Sequence, residues 1–305
     1  MTSPEERTDL PGPAGAALSD LVDQGGEILG LVEDQVALGP RAPGTPPHDE
    51  LAGHLEKRLR EQGAEVTVQE FSVMFRGTRL RCANIVGIFR MRSRSPHRGP
   101  AVLVGTHYDT RVRADREQDP ARRELPIPGA NDGGSGTAVL LHMLPWLARA
   151  ELARDVAIAF FDAEDLGNID GKDFSLGAEW CAGHPVTGFA PAEMIALDMV
   201  GGRNMILDFD AYSLAHLGSR KLTKEIFQIG LAREWRPFTR DKPERIKYIV
   251  SDHYPFVRRG IASCLLIDID YPQWHTQDDL PHALSAESLG ITEAALWLFL
   301  SRPPG

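Results

Sequence analysis

Residues 156–165 are Val156-Ala-Ile-Ala-Phe-Phe161-Asp-Ala-Glu164-Asp165, a short apolar run that leads directly into an acidic turn. A continuous apolar run of this length is typical of a strand buried on both faces of a parallel sheet. Similar runs occupy residues 101–105, 194–197 and 265–269. Helical spacing of apolar residues occurs in residues 136–149, 176–181, 214–234 and 285–300. This alternation predicts an α/β fold in which helices flank a mostly parallel, mixed central β-sheet.

The N-terminal half of the chain adds further elements to this sheet. Spacing predicts helices in residues 18–38 and 48–62 and strands in residues 66–71 and 80–89. Pro145 lies inside the predicted helix 136–149, so we expect a kink or a break there. We therefore predict a polar, flexible tail in residues 1–17 and a single domain in residues 18–305.

Composition excludes several classes of protein. The 305 residues include 33 Lys and Arg against 43 Asp and Glu, a net charge of −10 that would repel nucleic acid. No apolar run approaches the roughly 18 residues of a membrane span. No signal peptide is seen, so the sequence as it stands predicts a cytoplasmic protein, or a secreted or periplasmic one if a leader is missing. We expect a monomer. Its cysteines are expected to be buried thiols: Cys82, Cys181 and Cys264.

Acids and histidines follow the predicted strands. The carboxyl ends of parallel strands meet at one edge of a sheet, so side chains that follow these strands should lie close together. A further loop, residues 128–136, opens a predicted helix and carries another acid. The residues in question are His107, Asp132, Asp165, Asp198 and His275.

Oxygen and imidazole ligands without thiolates suit a catalytic zinc ion. One ion could be bound by Asp132, Asp165 and His275. Two ions could be bound if Asp132 bridges them and His107 and Asp198 complete the second site. The sequence leaves both arrangements open.

Neighbours of these residues suggest supporting roles. Glu164 precedes Asp165 and can lie near the metal without binding it, which suits a proton shuttle. Asp109 could accept the second ring N–H of His107 and fix its tautomer. His253 could orient Asp252 or cap a helix.

The mixed-charge loop 111–124 is interpreted as a solvated insertion or a lid near the pocket. Its arginines and acids alternate without a clear apolar pattern. Its position soon after His107 places either form near the proposed site.

Five stretches of the sequence resemble the zinc aminopeptidase superfamily, whose fold is a single α/β domain of the phosphorylase-hydrolase type. They are His107-Tyr-Asp109-Thr, Pro128-Gly-Ala-Asn-Asp132, Phe160-Phe-Asp-Ala-Glu164-Asp165, Leu197-Asp198-Met-Val-Gly and Ser251-Asp252-His253-Tyr-Pro-Phe256. Within that superfamily, three stretches resemble the glutaminyl cyclase branch, in a form similar to bacterial members. These are Gly39-Pro-Arg-Ala-Pro-Gly-Thr-Pro, Asp252-His-Tyr-Pro-Phe-Val-Arg-Arg-Gly260 and Trp274-His275-Thr-Gln-Asp-Asp279.

The resemblance implies an enzyme that converts N-terminal Gln of peptides or proteins to pyroglutamate and releases ammonia. It implies one zinc ion, bound by the residues that match Asp132, Asp165 and His275. The residues that match Glu164, Asp198 and Asp252 would carry out the proton chemistry. We expect Trp274 to form an apolar wall for the Gln side chain. Animal enzymes of that branch usually have Glu at the position of Asp165, so the ligand arm is shorter here.

Two other functions are compatible with the same residues. A two-zinc aminopeptidase would use all five candidate ligands to hold a bridging hydroxide, with Glu164 as the base. A catalytically silent binding domain could have kept the fold. The intact Glu164 and the complete ligand set favour an enzyme over this third alternative.

Overall fold

Helices and strands follow one another through the residues that the computed structural model describes, which are 22–92, 98–240 and 242–302. The strands are β1 (Glu65–Phe75), β2 (Thr78–Phe89), β3 (Val102–His107), β4 (Val156–Phe161), β5 (Glu193–Asp198), β6 (Phe209–Asp210), β7 (Ile246–Lys247) and β8 (Ala262–Ile267). The helices are α1 (Gly25–Ala37), α2 (Pro46–Glu61), α3 (Pro120–Arg123), α4 (Gly134–Arg149), α5 (Leu176–Gly183), α6 (Ala211–Ala215), α7 (Leu217–Leu231), α8 (Tyr254–Val257) and α9 (Ala286–Leu300). The predicted tail, residues 1–17, lies outside the described residues.

The central sheet has six strands in the order β1-β2-β4-β3-β5-β8. β4, β3, β5 and β8 are parallel to one another, while β1 and β2 form an antiparallel edge on β4. The predicted single-domain α/β fold with a mostly parallel, mixed sheet is confirmed. Because the four parallel strands are adjacent, their carboxyl ends open onto one shared edge.

Strand β4 shows why this sheet is covered on both faces. Val156, Ile158 and Phe160 point into a core with residues of α1, α4 and α9. Ala157 and Phe161 point into a second core with residues of α5 and α8. All five side chains are fully buried, as expected for an unbroken apolar run. Within the described ranges, no helix has the length and apolarity needed to cross a bilayer.

Several boundaries differ from the predicted ones. α4 continues through Pro145, so the chain does not break there. The predicted helix 214–234 is two helices, α6 and α7, because His216 has an extended backbone and its ring accepts the N–H of Ser219. The strand predicted at residues 265–269 begins earlier, at Ala262, and ends at Ile267. The three cysteines are buried thiols, as predicted.

A buried acid lies where α9 packs near α4. Glu293 is fully buried, and its Oε1 lies 2.7 Å from Nδ1 of His142. Burial raises the pKa of Glu293 to about 7, although His142 opposes this. Burial also acts to lower the pKa of His142, but Glu293 outweighs that effect and raises it.

These shifts predict a stability that falls as pH rises. Unfolding lowers the pKa of both groups, so the folded state binds more protons, and the free energy of unfolding decreases as pH rises from about 4.5 through about 7. We expect Glu293→Gln to melt like the wild type near about pH 5. Near about pH 8 it should be more stable, by at most about 3 kcal/mol. Thermal melts across this range test the difference, with Glu287→Gln as the control because Glu287 is exposed in the first turn of the same helix. A constant difference at every pH would contradict the prediction.

Candidate metal centre

The candidate ligands meet at the carboxyl edge of the parallel strands. His107 ends β3 and Asp198 ends β5, while Asp165 follows β4. Asp132 precedes α4, and His275 lies in the loop after β8. All five side chains are buried. They form two groups that share Asp132, and the ligand atoms of each group lie within 4.8 Å of one another.

Several residues at this edge have backbone conformations that non-glycine residues rarely adopt. Ala163, Met199 and His275 have φ of 56°, 49° and 58°, in the left-handed region that costs a non-glycine residue about 1–3 kcal/mol. Gly133 also has a positive φ, and a Cβ there would collide with the carbonyl oxygen of Asp109. The loops around the site are therefore held in strained or tightly packed turns.

Unpartnered buried atoms show that a cation fits this site. Among the candidate ligands, the buried side-chain atoms with no hydrogen-bond partner within the described residues are His107 Nε2, Asp132 Oδ2, Asp165 Oδ2 and Asp198 Oδ1. Nε2 of His107 lies 3.3 Å from Asp132, and Nε2 of His275 lies 3.3 Å from Asp165. Buried polar atoms are nearly always satisfied, so these atoms require an ion or protons. Nitrogen and oxygen donors at this spacing suit zinc.

The pKa values of residues in the two ligand groups show the same requirement for positive charge. Burial and Asp165 raise the pKa of Asp132 to about 7, although both histidines oppose this. Burial acts to lower the pKa of His275, but Asp165 and its other acidic neighbours raise it to about 9. In the absence of a metal ion, bound protons therefore supply the positive charge that the buried acids of this site require.

Asp109 supports both His107 and the acidic turn. We expected its carboxylate to face the ring, but the closest acceptor for His107 Nδ1 is the Asp109 carbonyl oxygen, at 3.1 Å, with the carboxylate at 3.5 Å. The carboxylate instead accepts the backbone N–H groups of Glu164 and Asp165, each at 3.1 Å. Asp109 thus links the end of β3 to the turn after β4.

Two residues without a predicted role hold the Asp132 loop. Asp279 is buried and accepts the N–H of Asp132 at 3.1 Å, and it also accepts the hydroxyl of Tyr271 at 2.8 Å. Arg41 is buried and donates to the carbonyl oxygens of Pro128 and Gly129, at 2.5 and 2.6 Å. Both residues belong to stretches that carried the glutaminyl cyclase resemblance, and that resemblance was the sequence signal that could have identified them.

The expectation of a solvated insertion in residues 111–124 holds only for the second half, where residues 118–121, 123 and 124 are exposed, because the first half is packed. Arg111 is 1% exposed, and Glu117 is also buried. Glu117 accepts the N–H of Gln277 at 2.8 Å, and the N–H of Arg116 donates to the carbonyl of His275 at 3.2 Å. Paired charges and backbone contacts therefore pack this loop against the His275 loop.

Two further carboxyl groups, those of Glu164 and Asp252, lie near the candidate ligand Asp198. Ser175 donates to Oε1 of Glu164 at 3.1 Å, and Ser251 donates to Oδ2 of Asp198 at 2.9 Å. Burial raises the pKa of Glu164 well above its ordinary value; His107 opposes this, while Asp198 and Asp252 add to it. Burial also raises the pKa of Asp252 to about 8. This cluster can hold protons near neutral pH.

His253 occupies the N-cap position of α8, but its ring pairs with Asp210 and not with Asp252. Its Nε2 lies 2.7 Å from Oδ2 of Asp210, and it makes no side-chain capping bond at α8. Asp210 also accepts N–H groups from Ser213 and Ile249. The pair therefore ties the loop before α8 to β6.

A cavity of about 760 Å³ opens onto Glu164, Asp198 and His275. Trp274 lines it, with its ring 4.4 Å from the His275 ring between centroids. The guanidinium carbon of Arg116 lies 3.8 Å from the Trp274 centroid. The other walls combine charged side chains, among them Asp173, Glu179 and Arg258, with apolar and aromatic ones: Ile249, Ile267, Ile269, Tyr248 and Tyr254. The cavity can thus accept a small side chain at its acidic base and a longer chain above it.

Residues 84–300 match the sequence pattern of a family described as Peptidase family M28. The chain belongs to this family. Solved structures similar to this M28 chain include a Zn-dependent exopeptidase from Parabacteroides distasonis, with 27% identity over 92% of this chain and 98% of that chain, at a TM-score of 0.81. A glutaminyl cyclase from Tannerella forsythia has 28% identity over 92% of this chain and 98% of that chain, at a TM-score of 0.80. A leucine aminopeptidase precursor from Bacteroides thetaiotaomicron has 26% identity over 92% of this chain and 97% of that chain, at a TM-score of 0.82.

The family match and these similar structures confirm the predicted resemblance to zinc aminopeptidases and their glutaminyl cyclase branch. One of them is described as Zn-dependent, which supports zinc as the metal of this site. The relatives include both cyclases and peptidases. The choice between those reactions therefore depends on the site itself.

Proposed function

We propose that this M28 chain is a zinc-dependent glutaminyl-peptide cyclotransferase that converts N-terminal Gln to pyroglutamate and releases ammonia. The observation that carries the proposal is the buried cluster of Glu164, Asp198 and Asp252. Asp252 is an acid beyond the five candidate ligands, and neither of its carboxylate oxygens has a hydrogen-bond partner among the described residues. A reaction that moves protons between two nitrogens without using water suits such a cluster.

Asp132, Asp165 and His275 would hold one zinc ion, which would polarise the side-chain carbonyl of the substrate Gln as a Lewis acid. Glu164 would take a proton from the attacking α-amine and return it to the departing ammonia. Its raised pKa suits both steps, because an ordinary carboxylate would be too weak a base and would rarely hold the proton. Ser175 orients the carboxyl group through its hydrogen bond to Oε1.

Asp198 and Asp252 would keep the pKa of Glu164 high by like-charge repulsion. Ser251 fixes Asp198 on the side away from His107. Trp274 would form one wall for the methylene groups of the Gln side chain, next to His275. Residues after the Gln would extend into the upper part of the cavity.

A two-zinc aminopeptidase is the second candidate, and the group of His107, Asp132 and Asp198 favours it. Nε2 of His107 lies 3.3 Å from Asp132 and 3.5 Å from Asp198, a geometry that a second ion could occupy. A proton on Nε2 of His107 would satisfy both acids as well as a second ion would. Hydrolysis by a bridging hydroxide calls for two ions about 3.5–4 Å apart, whereas cyclisation is satisfied by one.

The test supplies the zinc-loaded protein with a peptide that begins with Gln. We expect release of ammonia and a product lighter by the mass of one ammonia, with every peptide bond intact. The same peptide with an acetylated N-terminus is the matched control, because its amine cannot attack. Cleavage of Leu-initiated peptides without cyclisation of the Gln peptide would reject the proposed cyclase and support the aminopeptidase.

A further inference from the structure

Arg111 binds two acids at once. Its Nε and Nη2 donate to the two carboxylate oxygens of Asp115, at 2.9 and 2.7 Å. Its Nη1 lies 3.0 Å from Oδ1 of Asp165 and 3.1 Å from the carbonyl oxygens of Asp165 and Gly167. A buried guanidinium with this many partners has little freedom to move. Arg111 therefore holds the Asp165 turn through both side-chain and backbone atoms.

Asp115 extends this contact to the opposite side of the candidate metal site. Its Oδ1 lies 3.2 Å from Nδ1 of His275. The other ring nitrogen, Nε2, lies 3.3 Å from Asp165 and 3.6 Å from Asp132. A carboxylate on one ring nitrogen fixes the tautomer and leaves the other nitrogen free to bind a metal. Asp115 therefore determines which nitrogen of His275 faces the acids.

Arg111 also divides the roles of the two Asp165 oxygens. Oδ1 accepts its hydrogen bond and also lies 3.3 Å from Nε2 of His275, whereas Oδ2 is buried and has no partner among the described residues. A carboxylate that chelates with both oxygens would occupy two positions on the metal. One that binds through a single oxygen leaves a position for substrate.

We propose that Arg111 and Asp115 form one positioning unit, which makes Asp165 a one-oxygen ligand and directs Nε2 of His275 to the metal. This inference rests on the metal site of the proposed function but not on the cyclisation step. The unit acts through the ligands Asp165 and His275, and neither of its members is among the described residues that line the cavity.

The test measures zinc affinity and the visible spectrum of the cobalt-substituted protein, for the wild type and two variants. Arg111→Lys keeps the positive charge but loses the planar fork, and Asp115→Asn keeps the side-chain shape but loses the charge. We expect each variant to bind zinc about 10–100-fold more weakly, the usual cost of losing a partner of a metal ligand. In Arg111→Lys, Asp165 is free to chelate, so the cobalt absorption should weaken as the coordination number rises.

Arg122→Lys is the matched control. Arg122 lies in the same loop and lies near Glu117 and Asp278, at 3.2 and 2.8 Å, without contacting Asp165 or His275. It should keep the affinity and spectrum of the wild type. Wild-type affinity and spectrum in both Arg111→Lys and Asp115→Asn, with the fold verified by circular dichroism, would overturn the proposal.

Turnover of the Gln peptide, measured on the same preparations, separates this inference from the proposed function. Zinc affinity that depends on Arg111, in a protein that does not cyclise Gln, would leave the positioning unit standing and reject the cyclase. Cyclisation by a protein whose zinc affinity is unchanged in both variants would reject the positioning unit alone.

Discussion

Glu164→Gln should lower kcat for Gln-initiated peptides by about 100- to 10,000-fold, the usual contribution of a general acid–base group. The substitution keeps the size of the side chain and can keep the hydrogen bond with Ser175, so the cavity should retain its shape. It removes the group that would carry the proton from the amine to the ammonia. Zinc affinity should change little, because Glu164 belongs to neither ligand group. Steady-state kinetics and a metal titration on the same sample measure both quantities.

Glu293→Gln is the control for this prediction. It makes the same chemical change in a buried acid of α9, paired with His142 and not with any candidate ligand. Its kcat should equal that of the wild type. If Glu164→Gln keeps wild-type turnover while binding zinc normally, another group moves the proton and the role assigned to Glu164 is wrong.

The fold could be predicted to the extent that burial leaves a local signature. The run 156–161 is apolar at every position, because both faces of β4 are covered, and its predicted bounds match the strand. β6 and β7 have two residues each and leave no such pattern. The break at His216 was missed because it depends on a ring that caps the next helix, whereas the apolar spacing continues through it.

Four of the five candidate ligands could be placed because they end or follow a strand at the shared edge, and Asp132 because it lies in a loop that opens a helix. The residues that hold them could not, since their contacts join distant parts of the chain. Arg111 and Asp165 are 54 positions apart, and the N–H of Asp132 is bound by Asp279 across 147 positions. A run of mixed charge is ordinarily solvated, and only the fold shows that Arg111 is buried between two acids.

Asp132→Asn should remove bound zinc and abolish turnover of both Gln- and Leu-initiated peptides. Asp132 is the one residue shared by the two ligand groups, so its loss disrupts a one-ion site and a two-ion site alike. The neutral amide also leaves His107 and His275 without the acid that both of them face. The affinity loss should exceed the roughly 10–100-fold cost of losing a partner of a ligand. Metal analysis after dialysis gives the result directly.

His107→Gln completes this experiment, because His107 belongs only to the second group. If one ion serves cyclisation at Asp132, Asp165 and His275, this variant should keep the zinc content of the wild type. If two ions hold a hydroxide for hydrolysis, it should lose one of them, and peptide hydrolysis with it. Zinc retained by Asp132→Asn at the wild-type level would mean that the metal binds elsewhere. Asp132→Asn thus tests whether zinc binds at this site, and His107→Gln distinguishes the two reactions that the site could perform.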